Sequence, residues 1–315
     1  MTSTDRARCF LGGSLRRGAL VLALAAWATP SAAATIAVLT PVAAARHLHD
    51  GLAEQARARG VEAPVADAPD GAGDVQIAQA RRSIAASVDA LVVLPVDLPA
   101  REAIIRLAQE ADIPLVLIGQ GPRAEWLTGR VVHVVPNDLV AGRLQMRKLA
   151  QMLGGTGRVA LVAGDASDPG SVLRNRGARE VLAENPGLRL VAETTSDSSR
   201  ASARATVAGW LARGIGIDAI AAGSDEMAIG AAEALEAAGI PAGRILIGGA
   251  DATADGMQAM QDKRLAVTIH QDAAAQGRRA IDDALALIRR EPVPHYDWVP
   301  SELVTDRMST THFAR

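Results

Sequence analysis

The residues able to do chemistry in this chain stand in short stretches that directly follow apolar runs. They are Thr40 to Arg46, which holds Ala44 and Ala45, then Pro95-Val96-Asp97 and Gly119-Gln120. Further along come Gly164 to Asp168, Ser224-Asp225-Glu226, Ala250-Asp251 and Gln271, with Arg174 in the helix that opens after the Asp165–Pro169 loop. A guanidinium offers a fork of donors, a carboxylate accepts two hydrogen bonds, and an amide does both. Such a set can hold a polar molecule, but it does not assemble an active site. There is no G-x-S-x-G elbow, no H-E-x-x-H and no phosphate-binding P-loop. The glycines of Ile247–Asp251 lack the dinucleotide spacing, and His47 with His49 share no face of the helix expected there. Asp225 and Asp251 resemble the paired carboxylates of a glycosidase, but Asp225 reads as a cap on the helix behind it. No catalytic residue, metal site or cofactor is expected.

Those stretches are placed by a regular succession of elements. Near-continuous apolar runs recur at Ile36–Leu39, Ala90–Leu94, Pro114–Ile118, Val131–Val134, Arg158–Val162, Leu188–Ala192, Ala219–Ala222, Ile245–Gly248 and Leu265–Ile269. Strands covered on both faces of a parallel sheet have this composition. Between them lie segments of helical period: Leu48, Leu52 and Ala56 share a face, as do Ala228, Ala231, Ala232 and Leu235 before Gly239. A long helix over Ala273–Arg290 and one strand-like stretch over Trp298–Val304 close the chain. Sustained strand–helix alternation predicts an α/β fold with doubly wound, mainly parallel sheets. No low-complexity linker separates the halves, so several short crossings between two lobes are expected. In such sheets ligands sit at the carboxyl ends of strands, which is where the polar stretches fall.

The N-terminus bears on location. Arg6, Arg8, Arg16 and Arg17 precede an apolar run from Ala19 to Trp27 that is too short to span a bilayer, and Pro30 to Ala34 supplies small residues of cleavage type. Residues 1–34 thus read as a secretory signal peptide; the surroundings of Arg16-Arg17 fit ordinary secretion better than twin-arginine export. Removing them takes the net charge from −2 to about −5 and removes Cys9, the single cysteine. The remaining chain carries no disulfide and no electrostatic footprint for nucleic acid. Aromatic residues make up only 2% of the chain, which argues against a site built on stacking faces.

Several ordered stretches are similar to one family. Asp89 to Pro95, Arg174-Asn175-Arg176-Gly177, Ala219 to Ala231 with its Asp-Glu-Met-Ala core, Gly248 to Asp251 and Ala266 to Gln271 resemble the ribose-type periplasmic sugar-binding proteins. Repressors of the lactose type share that fold but begin with a helix-turn-helix, where this chain has an export signal. The resemblance implies a type I periplasmic binding protein, with two doubly wound lobes, a three-strand hinge and a ligand held in the cleft between them. It places the crossings near Pro136–Asp138, Gln271–Asp272 and Pro300–Leu303, with residues 35–136 plus 272–300 in one lobe and 137–271 plus 301–315 in the other.

It further implies a monomer that hands a small solute to an ABC permease in the inner membrane. The alternative is a sensory partner of a kinase or chemoreceptor, not coupled to transport. Arg174, Asp251 and Gln271 match positions that bond sugar hydroxyls or the ring oxygen, and Ser224 stands where an Asn is usual. The first lobe departs from the pattern. Val42 to Arg46, with Ala44 and Ala45, replaces a pair of aromatics; Gly119-Gln120 replaces an Asp-Arg pair; and Leu94 replaces a polar residue before Pro95, with Asp97 close behind. In the second lobe Ala250 replaces an aromatic. A wider, plainer pocket is expected, suited to a sugar, a polyol or an atypical, more apolar ligand.

Overall fold

The apolar runs form strands because nothing polar interrupts them and helices cover both their faces. The computed structural model describes residues 33–44, 46–119 and 129–305. Nearly all of the signal-peptide reading, together with Ala45 and Gln120, lies outside them. The first half runs β1 (Ile36–Pro41), α1 (Arg46–Arg59), β2 (Val65–Ala68), α2 (Gly73–Ala85), β3 (Ala90–Val93), α3 (Leu98–Glu110), β4 (Leu115–Ile118) and β5 (Val131–Pro136). The second runs α4 (Asp138–Met152), β6 (Gly157–Ala163), α5 (Pro169–Glu184), β7 (Leu188–Thr195), α6 (Arg200–Ala212), β8 (Ala219–Ala222), α7 (Asp225–Ala237), β9 (Leu246–Gly248), α8 (Ala254–Gln261) and β10 (Val267–Gln271). Then come α9 (Ala273–Ile288), β11 (Tyr296–Val299) and β12 (Ser301–Thr305).

Two six-stranded sheets result, ordered β11-β5-β4-β3-β1-β2 and β12-β10-β9-β8-β6-β7. Every pairing is parallel except β10 with β12. The fold class is therefore two doubly wound α/β lobes, as the apolar runs require. Central strands such as β3 and β4 are buried at every residue. Two elements depart from expectation. β2 is missed by hydrophobicity because it is an edge strand, Val-Ala-Asp-Ala, with only Ala68 buried. The stretch Trp298–Val304 is two strands, because Pro300 separates β11 in one sheet from β12 in the other.

The chain passes from sheet to sheet between β5 and α4, between β10 and α9, and between β11 and β12. All three passages leave from the carboxyl ends of strands, so the carboxyl edges of the two sheets face each other. The passages run side by side, since Val299 pairs with Pro136 and Gln271 pairs with Ser301. Helices are started by side chains that accept a backbone N–H: Asp97 from Ala100, Asn137 from Val140, Asp168 from Ser171 and Thr253 from Gly256. In the second lobe α4 and α5 cross where Gly142 meets the carbonyl of Arg174, closer than any side chain would allow: a Cβ there would lie 1.9 Å from that oxygen. That close approach brings the start of α5 over the end of the sheet.

Candidate functional site

Arg174 sits on the second turn of α5 and points back over the sheet rather than into solvent, with 15% of its side chain exposed. Its Nε donates to the Gly223 carbonyl at 3.0 Å and its Nη1 to Asp138 Oδ1 at 2.5 Å. Nη2 donates to Ser171 Oγ at 3.3 Å and lies 3.8 Å from the Asp168 carboxylate. Burial works against the charge, but Asp138 and Asp251 more than restore it and hold the guanidinium above its ordinary pKa. Gln271, the last residue of β10, donates to the same Asp138 oxygen at 2.9 Å. Asp138 is thus shared by Arg174 and Gln271 and ties the first passage to the second.

Asp251 follows β9 and remains accessible to solvent although the fold surrounds it. This surrounding pushes its carboxyl upward, Asp138 and Asp168 add to the push, and Arg174 draws it down. No hydrogen bond to its carboxylate is made among the described residues. Its backbone has φ of 97°, and that of Ala252 has φ of 49°, both in the left-handed region. Arg174, Asp138 and Asp251 therefore form one electrostatic group at the carboxyl edge of the second sheet, with an acceptor left open beside a held donor fork. Beneath Arg174 lies a small cavity of about 20 Å³ whose lining includes Ala141, Ala178, Ala221, Ala222 and Ala250. Of the alanines expected to widen the site, Ala250 lines this space and Ala44 does not, and Ala45 lies outside the described residues.

The remaining candidates are partly committed to structure. Ser224 caps α7, its hydroxyl accepting from Met227 N at 3.3 Å, which leaves its own hydrogen free to donate. The cap expected of Asp225 thus belongs to Ser224; the Asp225 carboxylate turns the other way, to Thr253 and Thr268. Asp97 caps α3 through Ala100 N at 2.7 Å. Ala44 closes a turn onto Pro41 and packs partly on the first lobe's core. Asp138 and Asp168 were not singled out from sequence. Asp138 reads there as a hinge position, and the packing of α5 on α4 brings it to Arg174; Asp168 reads as a loop residue and proves to cap α5, the helix that carries Arg174. His49, half-buried on α1, has its Nε2 3.0 Å from Thr40 Oγ1. No group of three or more His, Cys, Asp or Glu among the described residues could hold a metal ion.

Comparison with known proteins places this geometry. The sequence matches a family model described as a periplasmic binding protein domain over residues 36–292. A putative rhizopine-binding protein of Rhizobium meliloti is 37% identical over 262 residues, covering 82% of this chain and 84% of that protein. Among solved structures, a periplasmic ribose ABC transporter protein from Conexibacter woesei has a TM-score of 0.82 at 26% identity, covering 89% of this chain and 95% of that one. A solute-binding protein of an ABC transporter from Bacillus halodurans, solved with bound myo-inositol, has a TM-score of 0.76 at 29% identity, covering 90% and 98%. Proteins of this kind bind substrates and are not enzymes.

Proposed function

We propose a function on the premise that the chain belongs to the periplasmic binding protein domain family: it captures a small polyhydroxylated solute, a sugar or polyol, between its lobes and delivers it to an ABC permease. The lobes are residues 35–136 with 272–300 and residues 137–271 with 301–315. The protein works as a monomer in the periplasm, exported by residues 1–34, and performs no catalysis. The observation that carries this reading is the accessible Asp251 carboxylate beside the anchored Arg174. A polyol hydroxyl can donate to Asp251 and accept from Arg174 at once, and a charge-assisted bond nets about 1.5–3 kcal/mol. The relatives named above, with ribose in one description and myo-inositol bound in another, support the ligand class.

The test is calorimetric titration and thermal shift of the protein lacking residues 1–34. The panel is D-ribose, D-allose, xylitol and myo-inositol against their O-methylated derivatives. A bound ligand at a hundred times its dissociation constant adds about 2.7 kcal/mol, several degrees in melting temperature. Arg174→Ala and Asp251→Ala should each abolish the shift. Retention of wild-type affinity in both variants would refute the site.

A further inference from the structure

We infer that Asp225 is a positioning residue for the ligand site: its buried carboxylate clamps the loop after β9 and so aims Asp251 into the cleft. The inference rests on Asp251 being a ligand residue. Asp251 cannot be aimed by its own side chain, which accepts no hydrogen bond among the described residues; its direction is set by its backbone. That backbone is unusual, since Asp251 at φ 97° and Ala252 at φ 49° are consecutive non-glycine residues on the left-handed side. A conformation of this kind persists only when its surroundings over-determine it.

Asp251 N donates to the Ile269 carbonyl of β10 at 2.7 Å, and the other bonds around the left-handed pair converge on Asp225, which is fully buried. Its Oδ2 accepts from Thr253 N at 2.8 Å and from Thr253 Oγ1 at 3.1 Å, directly behind the left-handed pair. Its Oδ1 accepts from Thr268 Oγ1 at 2.6 Å, and that hydroxyl oxygen in turn accepts from Ala252 N at 3.3 Å. The backbone of Asp225 holds the other side of the loop, donating to the Ala250 carbonyl at 2.7 Å. Glycines frame the carboxylate: a Cβ on Gly249 would lie 2.2 Å from Oδ1, and one on Gly256 would lie 2.0 Å from Oδ2. The loop can close on Asp225 only because both positions lack a side chain. Burial pushes this carboxyl up to about 7 in spite of its three donors. A residue needed only to start α7 would not carry that cost, because Ser224 already caps the helix.

The experiment compares Asp225→Ala, Asp225→Asn, Ala252→Gly and the Asp225→Ala/Ala252→Gly double variant. Amide hydrogen exchange is read by NMR without ligand, and affinity by calorimetry with the panel above. In Asp225→Ala, exchange at Ala252 and Thr253 should accelerate at least about tenfold while Ile220–Ala222 in β8 stay protected. Affinity should fall by about tenfold or more. Adding Ala252→Gly, which holds φ above zero without a Cβ clash, should recover much of that loss. Asp225→Asn keeps the shape but replaces one acceptor with a donor; it should show a smaller effect of the same kind, and it is the variant to read if the alanine protein does not fold. Unchanged exchange at 252–253, equal acceleration throughout the lobe, or no rescue by glycine would overturn the inference. If the unaltered protein binds nothing in the panel, the ligand reading fails, while the exchange data still decide whether Asp225 holds the loop.

Discussion

Asp138 and Arg174 meet at 2.5 Å with only 2% and 15% of their side chains exposed, so the first passage between the lobes is held by an ion pair withdrawn from water. The pair also accepts a bond from Gln271, at the second passage. One carboxylate therefore orients the donor fork proposed to meet the ligand and joins two of the three strands about which closure would turn.

Removing that carboxylate should be expensive. Asp138→Ala removes the nearest carboxylate from a buried guanidinium and leaves it only Asp168 at 3.8 Å and Asp251; losing one partner of a buried pair costs about 3–5 kcal/mol. Urea unfolding should show a loss of this size, against a smaller one for Asp138→Asn. A loss under about 1 kcal/mol would mean that Arg174 finds another partner at once.

Gly142 offers a test through packing. A methyl group there would fall 1.9 Å from the Arg174 carbonyl oxygen, backbone against side chain, with no flexible end to yield. Gly142→Ala should push α5 away from α4 and lower stability by about 1–3 kcal/mol. It should also weaken solute binding, because Arg174 rides on α5. Unfolding and titration of one sample would check both.

The first lobe contains a pH-sensitive group. His133 on β5 is 1% exposed, stacks on Tyr296 with centroids 4.9 Å apart, and has neither ring nitrogen paired among the described residues. Burial first, then Arg101 and His295, lower its pKa from 6.5 to about 3. Between those values the unfolded chain binds a proton that the folded chain refuses, so stability falls as pH drops below 6.5. From pH 6.5 to 5 the loss is about 2 kcal/mol. His133→Phe, which keeps the stack, should flatten this part of the pH–stability curve; an unchanged slope would assign the acid sensitivity elsewhere.

Asp283 on α9 gives the opposite sign. It is 9% exposed, its Oδ2 is unpaired among the described residues, and burial together with the charge of Asp297 raises its pKa to about 7. The folded chain holds this proton more tightly than the unfolded chain, so stability is lost as pH rises from the ordinary carboxylate range through 7. Asp283→Asn should raise the melting temperature at pH 8 through about 1–3 kcal/mol of relieved desolvation, and much less at pH 5. Thermal melts at the two pH values would show it.

Local pattern carried most of the architecture. The continuous apolar runs over Ala90–Leu94 and Pro114–Ile118, and the helical faces between them, already require a covered parallel sheet, because burial on both sides leaves no room for polar alternation. The passages near Pro136, Gln271 and Pro300 were expected from family resemblance alone. β2 escaped because an edge strand needs little hydrophobicity. At the site, residue type and place after a strand put Arg174, Asp251 and Gln271 among several polar candidates, and the family resemblance singled them out. Only the tertiary structure joined Asp138 to Arg174 and turned Asp225 onto the loop that presents Asp251. Strand and helix follow from periodicities within a few residues, whereas these contacts join Asp138 to Arg174, 36 residues apart, and Asp225 to Thr253, 28 apart. No local spacing encodes them; they arise where two helices close over glycine and a buried carboxylate takes the nearest donors.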